Sequence, residues 1–199
     1  DYYILNYLNQ LIMKTLIITL FLLFGLSLAA YNRQAAVNYA YQHVSSPNHR
    51  CGSGTWACTP YCYCGGERCG YTSVGGDCAN FVSQCLIAGG HSKLTAGVCR
   101  GNEFCGAEVG AQKLSNCLVT NYGWKGTCGY HSKPPSDIQV GDVIVYFSGQ
   151  GCTGNAHAVI ITKIENGVPK ITCHSNEKKD VSYTYLQDSK PYYYWIHKP

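Results

Sequence analysis

Charged side chains are scarce in this chain, at 13% of its 199 residues, while hydrophobic residues make up 46%. That balance excludes a solvated, disordered tail. The formal net charge of +4 at pH 7 is too small a bias to indicate nucleic-acid binding, which calls for clustered Lys and Arg. No glycine-rich phosphate loop and no paired-carboxylate signature stands out, and no pair of C-x2-C motifs occurs. Beyond residue 29 no hydrophobic stretch approaches spanning length, and there is no internal repeat or low-complexity tract.

Cysteine, by contrast, is abundant. The thirteen cysteines are far above cytosolic usage and are odd in number. They point to an oxidising compartment or to several metal sites. The N-terminal region agrees. The only methionine, Met13, is followed by Lys14, an apolar run from Leu16 to Leu26, and Ser27-Leu28-Ala29-Ala30. This is the order of a secretion signal, with cleavage expected after Ala29. The run is shorter than the ~20 residues that cross a bilayer, so no membrane anchor is expected in the mature chain. Residues 1–29 are therefore read as upstream leader and signal, with the start at Met13, and 30–199 as one monomeric domain that is secreted to the extracellular space or to the lumen of a digestive compartment.

Within that domain, the spacing of Ala35, Ala36, Tyr39, Ala40 and Val44 predicts a helix over 31–44. Residues 51–69 hold Cys51, Cys58, Cys62, Cys64 and Cys69 without any period and read as a disulfide-tied loop. Cys78, Phe81, Val82, Cys85 and Leu86 line one face of a second helix, which Gly89-Gly90 ends. A short element is expected within 114–122. After Pro134-Pro135 the pattern turns to strands at 140–147, 157–164 and 170–174, with Asn166-Gly167 as a hairpin turn, and further strands at 183–185 and 192–196. Helices followed by an antiparallel sheet define an α+β class.

Cys78 follows Gly75-Gly76-Asp77 at the start of its helix. First-turn amides there are unpaired and carry partial positive charge, which stabilises a thiolate and can bind a developing oxyanion. The competing reading makes Cys78 one half of a disulfide. Thirteen cysteines pair as six bridges with one left over, and the helix start makes Cys78 the best candidate for the leftover thiol. Asp77 reads as the N-terminal cap.

A nucleophilic cysteine needs a base. His157 opens the strand His-Ala-Val-Ile-Ile-Thr, on one face with Val159 and Ile161. The imidazole in turn needs an orienting acceptor. The hairpin brings His174, and Asn176 two residues on, level with the start of that strand, and both remain open for the role. A zinc site at Cys58, Cys62 and Cys64 is less consistent with secretion than structural disulfides are, so no metal and no cofactor is expected.

Four blocks carry a resemblance. They are Tyr-Asn-Arg-Gln-Ala-Ala-Val-Asn-Tyr-Ala at 31–40, Gly-Gly-Asp-Cys-Ala-Asn-Phe-Val-Ser-Gln at 75–84, Gly-Asp-Val-Ile-Val-Tyr at 141–146 and His-Ala-Val-Ile-Ile-Thr at 157–162. With the later Cys173-His174 they resemble the putative amidase domain family, a branch of the NlpC-type, papain-like cysteine peptidases and amidases. The resemblance implies a papain-like fold, Cys78 as nucleophile, His157 as base, and His174 in the third role with Asn176 as its alternative. It implies an amide substrate, peptidoglycan or a peptide. The Cys-rich segment 51–69 departs from the family pattern. The reading from another class is a secreted, non-catalytic, disulfide-rich module that binds carbohydrate or protein, using surface from the seventeen tyrosines and three tryptophans.

Overall fold

The computed structural model describes residues 12–14, 31–45, 78–91, 110–174 and 177–199. The signal segment 16–29, the Cys-rich segment 51–69, Asp77 and Asn176 lie outside the described residues. The chain divides into two units, 1–31 and 32–199. In the first, residues 12–14 form a helical turn. Among the described residues no helix is long and apolar enough to cross a membrane.

The second unit is α+β, in the order the sequence predicts. Helix α1 spans Arg33–His43 and α2 spans Cys78–Ala88. Helix α3, Ala111–Asn116, runs on into a π-helical turn, Cys117–Asn121. Strands β1 (Lys125–Tyr130), β2 (Val143–Gly149), β3 (Thr153–Glu165), β4 (Val168–Cys173), β5 (Lys178–Ser182) and β6 (Tyr192–His197) follow. They form an antiparallel sheet in the order β1-β6-β2-β3-β4-β5.

Local chemistry explains the boundaries. The side chain of Asn32 accepts from the Ala35 amide at 2.9 Å and caps α1. Helix α2 ends in a Schellman motif. Gly90 takes φ +86°, its amide donates to the Ile87 carbonyl, and the His91 amide donates to the Leu86 carbonyl. The Asn32 amide also donates to the Gly89 carbonyl at 2.7 Å, tying the start of α1 to the end of α2. Asn166 (φ +51°) and Gly167 (φ +75°) both enter the left-handed region that a tight two-residue hairpin requires, so β3 and β4 pair as expected.

Three expectations change. Residues 183–185 are not a strand. They belong to hydrogen-bonded turns after β5, where the Tyr185 amide donates to the Ser182 carbonyl. Strand β1, Lys-Gly-Thr-Cys-Gly-Tyr, is an addition, because its two glycines and almost wholly exposed residues carry no local strand signal. It exists by pairing with β6. Helix α2 is not one-sided. Every residue from Cys78 to Leu86 is buried, since α1, α3 and the sheet all pack on it.

The sheet is buried on both faces. Ile144, Tyr146, Val159, Ile161, Ile171, Cys173, Tyr193 and Trp195 form one cluster, covered by Ile138, Val181, Tyr183, Tyr185 and Leu186. The alternate residues Val143, Val145, Phe147, Ala158 and Ile160 are buried as well, and α1 and α2 pack on β3 and β4. A disulfide, Cys128–Cys152, joins β1 to the β2–β3 turn.

The polar frame centres on an ion pair between Arg33 of α1 and the fully buried Asp142. Arg33 also donates to the carbonyls of Val140 and Lys198, both at 3.1 Å. Asp142 accepts from the amides of Gln139 at 2.7 Å and Lys198 at 3.3 Å. Burial raises its carboxyl pKa, and the Arg33 guanidinium pulls it back down. Gly141 takes φ +81°, and a Cβ there would lie 3.0 Å from that of Arg33, so the close approach of α1 to this turn needs glycine.

Candidate active site

Cys78 is the first residue of α2 and is buried. It is a thiol, not a disulfide half. Cys85 and Cys173 are buried thiols too, so the expectation of a single leftover thiol is wrong. Among the described residues three thiols remain, where parity had suggested one. Cys85 and Cys173 serve as small apolar core residues. Burial pushes the Cys85 thiol well above its usual range. Burial likewise pushes Cys173 up to about 11, with a hydrogen bond from Tyr185 opposing and the neighbouring Cys78 adding to the rise. Cys117, Cys128 and Cys152 are disulfide-bonded.

His157 lies on β3, directly opposite Tyr146 of β2. Alternation puts it on the face of Val159 and Ile161, as the sequence predicts, and that is the face covered by Tyr185. The His157 and Tyr185 rings meet edge to face, with centroids 6.3 Å apart and planes at 70°. Tyr185 also stands perpendicular to Tyr146, at 6.0 Å and 87°. Its hydroxyl is 3.3 Å from the Cys173 sulfur. Burial drives the Tyr185 phenol far up, helped by Cys173 and Cys78, so the hydroxyl stays protonated. Cys78 thus acts electrostatically on both Cys173 and Tyr185, and Tyr185 packs on His157.

His174 follows β4 and is fully buried. Its ring stacks on Phe81, one helical turn beyond Cys78, with centroids 4.8 Å apart. Its Nε2 is 3.1 Å from the His43 carbonyl. A carbonyl only accepts, so Nε2 carries the proton, and in the neutral ring Nδ1 is left as an acceptor. Burial and then the nearby His174 lower the pKa of His43. The described contacts of His174 therefore run to the helices, and those of His157 run to the tyrosine cluster.

Other residues of the Cys78 block have structural partners. The Tyr39 hydroxyl donates to Gln84 Oε1 at 2.8 Å, and Gln84 Nε2 donates to Asn80 Oδ1 at 3.3 Å. These bonds lock α1 to α2 and hold the Cys78 helix in place. Residues 30–197 match the putative amidase domain. The chain belongs to the putative amidase domain family. No curated protein and no solved structure matches it. Membership of this amidase family points to a hydrolase acting on amide bonds.

Sequence reasoning missed Tyr185 and the position of Cys173 beside the site. Cys173 was visible only as the neighbour of His174, and Tyr185 carried no signal beyond its place in a tyrosine-rich tail. Folding of residues 183–190 over the sheet is what brings Tyr185 to His157.

Proposed function

We propose that this amidase-family chain is a secreted, cysteine-dependent hydrolase with a papain-like, NlpC-type architecture that cleaves an amide bond in bacterial peptidoglycan. Cys78 is the nucleophile, His157 the base, and His174 or Asn176 the orienter of the imidazole. The observation that carries the reading is the Cys78 thiol at the first residue of a buried helix, sharing Tyr185 as a neighbour with His157.

The Cys78 thiolate attacks the amide carbonyl carbon, forming a C–S bond. First-turn amides of α2, including that of Cys78, donate hydrogen bonds to the oxyanion. Protonated His157 gives its proton to the leaving amine as the C–N bond breaks, leaving a thioester. A water deprotonated by His157 then attacks the acyl carbon, the C–S bond breaks, and the thiolate returns.

Digestion of purified peptidoglycan, with mass analysis of the fragments, tests this. Wild type is expected to release fragments that Cys78→Ala does not. New amino termini within stem peptides identify an endopeptidase, and whole stem peptides freed from the sugar identify an amidase. Binding to the wall without cleavage by either protein would instead make the chain a binding module.

A further inference from the structure

We propose that Tyr185 is a positioning residue for His157, anchored through its hydroxyl by Cys173. The inference rests on the reading of Cys78 and His157 given above, and it names two residues that the reading does not use.

The argument is geometric. A histidine on a strand is fixed at χ1 by the sheet, but its ring still turns about χ2 unless something packs on it. Tyr185 is the described side chain that meets the His157 ring edge to face, at 6.3 Å and 70°. Such an arrangement, with ring quadrupoles aligned, resists rotation of either ring. Tyr185 is itself held at two points. Its ring stands perpendicular to the fully buried Tyr146, which is the cross-strand partner of His157. Its hydroxyl meets the Cys173 sulfur at 3.3 Å, and as the stronger donor the phenol gives the hydrogen bond. Cys173 is fully buried in the sheet cluster. Tyr146 hydroxyl in turn donates to the Tyr183 carbonyl at 2.7 Å, which pins the turn that carries Tyr185. The titratable groups on these elements are therefore Tyr185 and Tyr146 against His157, with Cys173 and Cys78 acting on Tyr185.

A purely structural tyrosine would change stability alone, so the test reads the ionisation of the nucleophile. The rate of Cys78 alkylation by iodoacetamide is followed against pH by peptide mapping, beside the rate of fragment release from purified peptidoglycan. Tyr185→Leu is expected to move the Cys78 profile upward toward the ordinary thiol value of ~8.5, because a turning imidazole no longer pairs with the thiolate. Fragment release is expected to fall roughly 10- to 100-fold, the scale of an ångström-size misplacement. Tyr185→Phe keeps the ring and is expected to stay within about 3-fold of wild type, rescuing the profile. If Tyr185→Leu does not fold, Tyr185→Met is read in the same way.

An unchanged Cys78 profile and unchanged release in the folded Tyr185→Leu protein, beside a shifted profile in His157→Ala, overturn the role of Tyr185 alone. A loss in Tyr185→Phe as large as in Tyr185→Leu also overturns it, since the ring would then not be what positions His157. An unchanged profile in His157→Ala removes the Cys78–His157 pair, and this inference falls with it.

Discussion

The ring of His174 lies flat on the ring of Phe81, with centroids 4.8 Å apart and planes 7° from parallel. Phe81 stands three residues after Cys78, on the same side of α2. The stack joins the end of β4 to the helix that carries the proposed nucleophile. The hydrogen bond from His174 Nε2 to the His43 carbonyl extends the joint to the end of α1. One imidazole therefore holds together three elements around the site.

His174→Ala is accordingly expected to lower stability by about 2–3 kcal/mol, through a cavity beside Phe81 and an unpaired buried carbonyl. Denaturant titration measures this. If His174 also orients His157, turnover compared where both proteins are fully folded falls too. The loss should be smaller than for Cys78→Ala or His157→Ala and larger than for Asn176→Ala. A folded His174→Ala protein with wild-type turnover would leave a Cys78–His157 dyad, or Asn176 in the third role.

Alkylation without reductant distinguishes the thiols. In the native protein Cys78 is expected to react first, because burial holds the Cys85 and Cys173 thiols protonated. After denaturation all three should label, while Cys128 and Cys152 should not. Peptide mapping reads the outcome, and label on Cys128 or Cys152 in denatured, unreduced protein would contradict the bridge.

Cys173 makes the fold sensitive to alkali. Its folded pKa of about 11 lies above the unfolded value of 9.0. Below pH 9 the thiol is protonated in both states and contributes nothing adverse. Between about pH 9 and 11 the unfolded chain loses this proton and the folded one keeps it, so stability falls as pH rises. Two pH units correspond to roughly 2–3 kcal/mol. Cys173→Ala should show a shallower decline than wild type over that window. Parallel pH curves for the two proteins would mean that Cys173 does not titrate in this way.

Asp142 is expected to be among the most sensitive polar positions. Asp142→Ala leaves Arg33 without its carboxylate and two backbone amides, those of Gln139 and Lys198, without an acceptor. Breaking a buried pair from one side costs about 3 kcal/mol or more. Thermal or denaturant unfolding checks it. A change below about 1 kcal/mol would show that water replaces the carboxylate freely.

Removing the Cys128–Cys152 bridge with a double alanine variant is expected to cost about 3 kcal/mol, for a closed loop of 24 residues. The comparison is made at equilibrium without reductant, and an unchanged midpoint would place the strand pairing of β1 with β6 as the sole tether.

Local patterns in the sequence determined much of this protein. Helical spacing placed α1 and α2, diglycine ended α2, Asn166-Gly167 set the β3–β4 hairpin, and alternation put His157 with Val159 and Ile161. These features depend on neighbours a few residues apart, where propensity and periodicity act. Cys78 at a helix start was legible for the same reason, whereas His157 does not open its strand as expected, because β3 begins four residues earlier at Thr153 and pairs there with the end of β2. The tertiary structure decided the rest. Strand β1 has no local signal and exists through β6, whose partner residues lie from 72 positions away (Lys125 with His197) to 62 (Tyr130 with Tyr192). Cys85 and Cys173 remain thiols because of where they are packed, which no cysteine count reveals. Tyr185 reaches His157 only when residues 183–190 fold back over the sheet, and His174 reaches Phe81 only when β4 docks on α2. Each of these contacts joins residues far apart in the chain, so its energy is set by packing geometry that the linear order does not carry.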